Sequence, residues 1–401
     1  MTGRACGLSF GLLVLLCASA HAQVLTGLDV LESEGFKALQ GKSVGIITNH
    51  TGKDHAGKSA VELLAKAPGV KLKAIFTPEH GFLGAEAAGA AIASTTDTAT
   101  GLPIFSLYGQ TKRPTPQSLE GLDVLVFDMQ DVGARFYTYL STMGMAMEEA
   151  AGRKIEFMVL DRPNPVGGAV IEGPVKIPEI SAFTSYLPVP IRHGLTAGEM
   201  ARLYNAYLET PVKLTVVPMQ GWKRDMLWEE TGLTWTNPSP NIRNATAALL
   251  YPGIGCFEST NLSVGRGTDM PFEWVGAPWL DARAVFQDLH DAHLAGFSFK
   301  VQSKTPKDDL YKDVECRGIE IRVKDPKAVR PVDLWVTLMT ILRERYSYEF
   351  IPRFDEVRMM VGNDDFQKRY LGEEKPDAII AAFHASAARF EKTRKPFLLY
   401  P

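Results

Sequence analysis

The stretch TPEHGF, Thr77 to Phe82, sets a carboxylate and an imidazole side by side between a proline and a glycine, directly after the apolar run KLKAIF. A carboxyl in a loop with apolar neighbours such as Phe76, Pro78 and Phe82 can have its pKa raised and serve as a general acid. Glu79 and His80 are therefore the first candidates for proton transfer. Further along, FDMQDVGARFYTY carries Asp128, Asp131, Arg135 and Tyr137, and LDRPNPVGG carries Asp161, Arg162 and Asn164 between prolines. PIRHGLTAGE holds Arg192 and His193 ahead of Thr196 and Glu199, whose T-x-x-E spacing is a capping box and explains those two residues without chemistry. FESTNLSVGRGTDMPFEW gathers Glu258, Asn261, Arg266, Asp269 and Glu273 in a glycine-rich run with no evident hydrophobic face, and Arg266 between two glycines can fork onto a carboxylate. Carboxylates, arginines, asparagines and aromatics in this mixture fit a cleft that binds carbohydrate and cleaves a glycosidic bond by acid/base chemistry.

Elements must bring these residues together. Ser43 to Thr48, KLKAIF, Val124 to Phe127 and KIEFMVL read as four apolar strands, separated for the most part by helical stretches such as SAVELLAKA and TYLSTMGMAMEEAAG. This alternation predicts an α/β fold: a Rossmann-like N-terminal domain with a mostly parallel sheet. The loops after the four strands would then share one edge, placing Asn49 and His50, Glu79 and His80, Asp128 to Asp131, and Asp161 to Asn164 together. The texture changes near Leu250, and the remainder reads as a smaller α+β C-terminal domain. It holds helices at AVFQDLHDAHLAGF, DLWVTLMTILRERY and AIIAAFHASAARFEKTRKPFLLY and a strand at GIEIRVKD. The expected division is 23–250 and 251–401.

Several classes are excluded. No G-x-G-x-x-G follows the first strand and no P-loop is present, so a dinucleotide or nucleotide cofactor is not expected. H-E-x-x-H and G-x-S-x-G are absent, and the 8 histidines are scattered, which argues against a metal hydrolase or a serine hydrolase. A formal net charge of −3 provides no general basic surface for nucleic acid. Residues 1–22 have an early Arg4, an apolar run to Cys17 and a small-x-small Ala20-His21-Ala22, the pattern of a signal peptide cut near Ala22. The mature protein would be exported, to the periplasm or beyond, with no membrane segment. It would retain Cys256 and Cys316, paired or free.

Nine motifs occur in order: TNHTG (48–52), FTPEHGF.G (76–84), SLYG (106–109), FDMQDVGARFYTY (127–139), VLDRPNPVGG (159–168), EGP (172–174), IRHGLTAGE (191–199), PSPN (238–241) and FESTNLSVGRGTDMPFEWVGAPW (257–279). In this set the chain resembles the NamZ-type exo-β-N-acetylmuramidases of bacterial cell-wall recycling, over nearly the whole mature length. The resemblance implies removal of N-acetylmuramic acid from the non-reducing ends of peptidoglycan fragments. It also implies an active site between a Rossmann-like domain and a smaller C-terminal domain, and a catalytic glutamate at Glu79, with His80 orienting it. Ser259 stands where the family pattern has glycine, and Val264 where it has glutamate. A site that selects the lactyl carboxylate of this sugar needs a cation, and Arg266 is the first expectation, followed by Arg135 and Arg162. Asp128, Asp131, Glu258 and Glu273 are all open as second catalytic groups, as is the substrate's own acetamido group. A glycosidase for another amino sugar and a non-catalytic wall-fragment binder are the competing readings. An intact TPEHG favours the enzyme.

Overall fold

The computed structural model describes residues 23–87 and 89–401, and the signal-peptide reading lies outside the described residues. The N-terminal part runs α1 (Gly27–Ser33), β1 (Ser43–Thr48), α2 (Ala60–Lys66), β2 (Lys71–Thr77), β3 (Thr95–Thr96), β4 (Pro103–Ser106), β5 (Val124–Asp128), α3 (Tyr139–Gly152), β6 (Glu156–Leu160), α4 (Ala197–Asn205) and β7 (Leu214–Val217). Local chemistry sets the helix starts. Thr26 and Asp29 form a reciprocal capping box on α1, Ser59 caps α2, and Thr196 and Glu199 form the expected capping box on α4.

The seven strands lie in the order β3-β4-β2-β1-β5-β6-β7. All neighbours are parallel except β3 and β4. The four strands read from sequence are the adjacent central ones, β2-β1-β5-β6. From Val44 to Ile47 and from Val124 to Asp128 every residue is buried, which is what a sheet covered on both faces requires. The chain steps outward from β1 through β2 to β4, then returns to the other side of β1 as β5. That reversal is a topological switch point, and the crevice outside the strand C-termini is where such sheets bind ligands.

The remainder runs α5 (Ala245–Ile254), β8 (Trp274–Ala277), α6 (Ala282–Asp291), β9 (Phe297–Val301), β10 (Arg317–Val323), α7 (Pro331–Arg345), α8 (Phe354–Val361), α9 (Asp365–Leu371) and α10 (Pro376–Arg394). A small antiparallel sheet has the order β8-β10-β9. Together these give the two-part α/β architecture expected. The change of texture near Leu250 falls inside a helix: α5 crosses Leu250 and continues through Pro252 and Gly253. Burial of Ala247, Ala248, Leu250 and Ile254 outweighs the low helix propensity there. A Cβ on Gly253 would stand 1.8 Å from the Pro331 carbonyl oxygen, so glycine permits the close approach of α5 to α7.

One apolar core joins the two parts. It includes Phe127, Tyr139 and Met143 beside the large sheet, Tyr251 and Phe257 between, and Trp335 and Leu338 of α7. Cys256 and Cys316 are both buried and free. Among the described residues no helix is long and apolar enough to cross a membrane.

Candidate active site

Glu79 stands two residues beyond the end of β2, at the C-terminal edge of the sheet. The chain turns sharply there, because His80 and Gly81 both take left-handed backbone conformations, φ 70° and 76°. For histidine this is an uncommon and costly state. It is stabilised by burial and by the ring, whose Nδ1–H donates to the Glu86 carbonyl at 2.8 Å. His80 thus holds the loop, and other groups hold the carboxylate. Glu79 Oε1 accepts from the Gly89 N–H at 3.0 Å, and Oε2 accepts from the Thr138 hydroxyl at 2.8 Å, just before α3. Tyr108 lies alongside, its hydroxyl pushed up to about 12 by burial and then by the Glu79 charge.

The facing wall comes from the turn after α5. Glu258 Oε1 accepts from Arg266 Nε at 2.5 Å, and Asp309 stands 3.7 Å from the same nitrogen. Gly265 and Gly267, on either side of Arg266, have φ 84° and 74°, and a Cβ on either would meet a carbonyl oxygen within 2.5 Å. The guanidinium sits over the Phe272 ring, 5.3 Å from its centroid. Arg353 donates to the Glu258 and Thr260 carbonyls and pairs with Glu356 at 2.8 Å. Burial pushes the Glu258 carboxyl up. Arg266 opposes that shift, while Asp309 and Glu79 add to it. Glu79 and Glu258 thus sense each other, and they line one cleft of about 440 Å³ with Tyr108, Lys112, Thr138, Phe183, Tyr251 and Arg266. Glu356, paired with Arg353, lines the same cleft, and aromatic walls with the facing carboxylates Glu79 and Glu258 suit a sugar ring and acid/base chemistry at its anomeric bond.

Most other residues singled out from sequence lie behind this cleft. Asn49 donates to the Tyr139 hydroxyl at 2.9 Å and accepts from Thr51, while Tyr139 donates to the Pro238 carbonyl at 2.7 Å. His50 donates from Nε2 to the Asn237 carbonyl at 2.7 Å. The TNHTG, FYTY and PSPN motifs are in this way stitched together. Asp128 is fully buried and paired with Arg162 through two bonds of 2.6 and 2.9 Å. Asp131 accepts from the Gly133 N–H at 2.7 Å and lies 3.6 Å from His193 Nε2. Tyr137 is buried edge-on between Tyr139 and Tyr251.

Asp161 is buried beneath four donors, the Thr196 and Tyr400 hydroxyls and the Arg162 and Gly198 N–H groups. Asn164 bridges Leu195 and Val166. Arg135 is buried and donates to the Val189 and Met360 carbonyls, each at 2.7 Å, and Arg192 is buried against Glu172 at 2.7 Å. Asn261 clamps Glu349 and Ile351, and Glu273 accepts from Asn244 at 2.7 Å. Asp269 pairs with Lys304 at 2.6 Å, and of all the candidates named the structure brings Glu79, Glu258 and Arg266 to the cleft surface.

Tyr108, Lys112, Thr138 and Tyr251 line the cleft without having been singled out as site residues. Tyr108 and Thr138 lie inside the SLYG and FYTY motifs, which was the available signal. Ser259 is buried, its hydroxyl donating to the Cys256 carbonyl at 2.6 Å. Val264 forms an apolar wall of an adjoining cavity that shares Glu258 and Arg266 with the cleft.

The model of the N-terminal region of exo-β-N-acetylmuramidase NamZ matches residues 44–246, and that of the C-terminal region matches 249–400. The chain is 40% identical over 382 residues to the peptidoglycan β-N-acetylmuramidase NamZ of Bacillus subtilis, covering 94% of this chain and 92% of that protein. Two crystal structures of DUF1343 family proteins from Bacteroides fragilis superpose with TM-scores of 0.89 and 0.77 at 35% and 30% identity, each over 94% of this chain and 99% of the other. Matched along nearly its whole described length, the chain belongs to the NamZ exo-β-N-acetylmuramidase family.

Proposed function

We propose that this protein is an exported exo-β-N-acetylmuramidase that releases N-acetylmuramic acid from the non-reducing ends of peptidoglycan fragments, with Glu79 as general acid. The family assignment supports the glycoside hydrolase activity. The signal-like pattern of residues 1–22 supports export. The observation that carries the acid assignment is the placement of Glu79. Both its oxygens are oriented by neutral donors, and it opens into an aromatic-lined cleft faced by a second carboxylate, Glu258. Residues 23–250 supply the acid, and 251–401 complete the cleft.

In this reading the glycosidic oxygen of bound substrate lies against Glu79, which transfers its proton to that oxygen as the C1–O bond breaks. The departing fragment leaves as an alcohol, the oxygen of a water molecule ends on C1, and the proton that water gives up is taken by a carboxylate of the site, so that Glu79 regains its acid form by the end of the turnover. Positive charge grows at the ring during this step. Glu258, held by Arg266, faces that charge either as base or as electrostatic partner, with the substrate acetamido oxygen as the alternative nucleophile. Val264, which walls the adjoining cavity in place of a charged residue, favours the second reading of an enzyme for a different amino sugar.

Hydrolysis of chromogenic β-glycosides of N-acetylmuramic acid and N-acetylglucosamine by wild type and Glu79→Gln tests both readings. Release from the muramic compound alone, reduced by about 10²–10⁴-fold in kcat in the variant, is the expected result. Release from the other sugar alone would establish the second reading. Full activity in Glu79→Gln would move the acid elsewhere.

A further inference from the structure

Muramic acid differs from glucosamine by a lactyl ether whose carboxylate is negative at neutral pH, so selection between the two sugars needs a cation that is free to receive it. The four arginines singled out from sequence are all engaged. Arg135 is buried against main-chain carbonyls, Arg162 is paired with Asp128, and Arg192 with Glu172. Arg266 reaches the cleft, but its guanidinium is held by Glu258 with Asp309 beside it. The other cation among the described residues lining the cleft is Lys112, for which no carboxylate lies within ion-pair distance.

Lys112 is set in place by an aromatic ring. Its ammonium lies 4.3 Å from the centroid of Phe183, which fixes the end of a flexible side chain without neutralising it. Phe183 packs against Tyr108 at 6.1 Å between centroids, and Tyr108 adjoins Glu79. Lys112, Phe183, Tyr108 and Glu79 therefore form one continuous wall, with the cation and the acid separated by two rings. A sugar bound with its anomeric oxygen at Glu79 and its ring along Tyr108 and Phe183 directs a substituent on the far side of that ring toward Lys112.

We infer that Lys112 is the specificity residue that receives the lactyl carboxylate of the muramic acid unit. This rests on the muramidase reading and names the group that enforces it. Arg266 then has a separate task, the positioning of Glu258. An ion pair that forms only when substrate covers the lysine is formed by the acid form of the sugar and not by its ester.

The test compares a chromogenic N-acetylmuramic acid glycoside with the same compound carrying its lactyl group as the methyl ester. Both are assayed with wild type, Lys112→Met and Lys112→Arg. Wild type should prefer the acid by about tenfold or more in kcat/KM, chiefly through KM. Lys112→Met should bring that ratio close to one, and Lys112→Arg should restore most of it. Because Lys112 is exposed, the melting temperature should hold in all three. An acid preference that survives intact in Lys112→Met would overturn the assignment while leaving the muramidase reading in place. Hydrolysis of neither compound by wild type, with no binding of free N-acetylmuramic acid by calorimetry, would overturn the muramidase reading and this inference with it.

Discussion

Two carboxylate–arginine pairs lie in the loops of this molecule, and their surroundings give them different work. Asp128 and Arg162, at the end of β5 and just past β6, have side-chain exposures of 0% and 7%. Glu258 and Arg266, on the facing wall, have 25% and 18% and border the cleft. The chemistry is the same and the contact distances are similar, 2.6 and 2.5 Å. In the first pair the carboxylate is fully enclosed and only Arg162 borders a separate cavity; Arg162 also donates to the Lys53 carbonyl, so the pair ties the loops after β1, β5 and β6 to one another. The second keeps an open side on which a substrate can lie, with Asp309 in reserve as another partner for the arginine. Residue type and pairing alone do not separate a structural ion pair from a functional one. The exposure of the carboxylate side chain to a cavity does.

The largest effect expected from this contrast is on stability. Arg162→Met leaves Asp128 charged, buried and without its cation, and burial already pushes that carboxyl up. The cost should be about 3–5 kcal/mol in chemical denaturation. A loss below 1 kcal/mol would show that the sheet-edge pair does not hold the loops. Glu258→Gln should do the reverse. Arg266 keeps Asp309 as a neighbour and the amide fills the same volume, so stability should fall by about 1 kcal/mol or less. The same variant should lose about a hundredfold in kcat, because the charge facing the anomeric centre is gone. If denaturation and turnover rank the two pairs in the opposite order, the contrast is wrong.

The sequence pattern made some of this legible and hid the rest for physical reasons. The four central strands were readable because a strand buried on both faces is an unbroken apolar run. The outer strands β3, β4 and β7 were not, being only 2 to 4 residues long, partly exposed and, in β4, opening on Pro103. Glu79 was readable as a carboxylate set past a strand end between a proline and a glycine. The arginines were readable as cations, but a side chain's charge does not say whether it points to solvent or to a carbonyl. Arg135 and Arg192 proved to be among the largest fully buried side chains. Thr138 and Tyr108 were legible only as members of the FYTY and SLYG motifs, since the role of a neutral hydroxyl beside a carboxylate is defined only by the folding of two distant loops.

Thr138 sharpens the contrast by a smaller amount. Its hydroxyl is a neutral donor to Glu79, where Arg266 is a charged donor to Glu258. Neutral donors can orient an acid without fixing it in the ionised form. Thr138→Val retains shape and removes the donor, so kcat should fall by about tenfold, with KM little changed and Thr138→Ser recovering most of the loss. A rise in KM with kcat unchanged would make Thr138 a contact to the sugar rather than the group that aims Glu79.

The smallest effect concerns Asp161, the buried carboxylate next in sequence to Arg162 whose side chain meets four neutral donors and no cation. Burial raises its pKa from the ordinary aspartate value to about 6. The folded state therefore holds this proton more tightly than the unfolded chain does. Its contribution to stability is fully present below the ordinary aspartate value and is lost as pH rises through about 6. Between pH 5 and pH 7 that loss amounts to about 1 kcal/mol. Burial also pushes Asp128 up in spite of its cation, so it is the Asp161→Asn variant that isolates the Asp161 share of the response. Asp161→Asn should be less stable at every pH, because its amide group points donors at donors, yet the difference from wild type should shrink by about 1 kcal/mol from pH 5 to pH 7. A difference that stays constant over that range would mean that the four hydroxyl and amide donors are enough to keep Asp161 ionised throughout, and that a buried carboxylate at this sheet edge needs no cation at all.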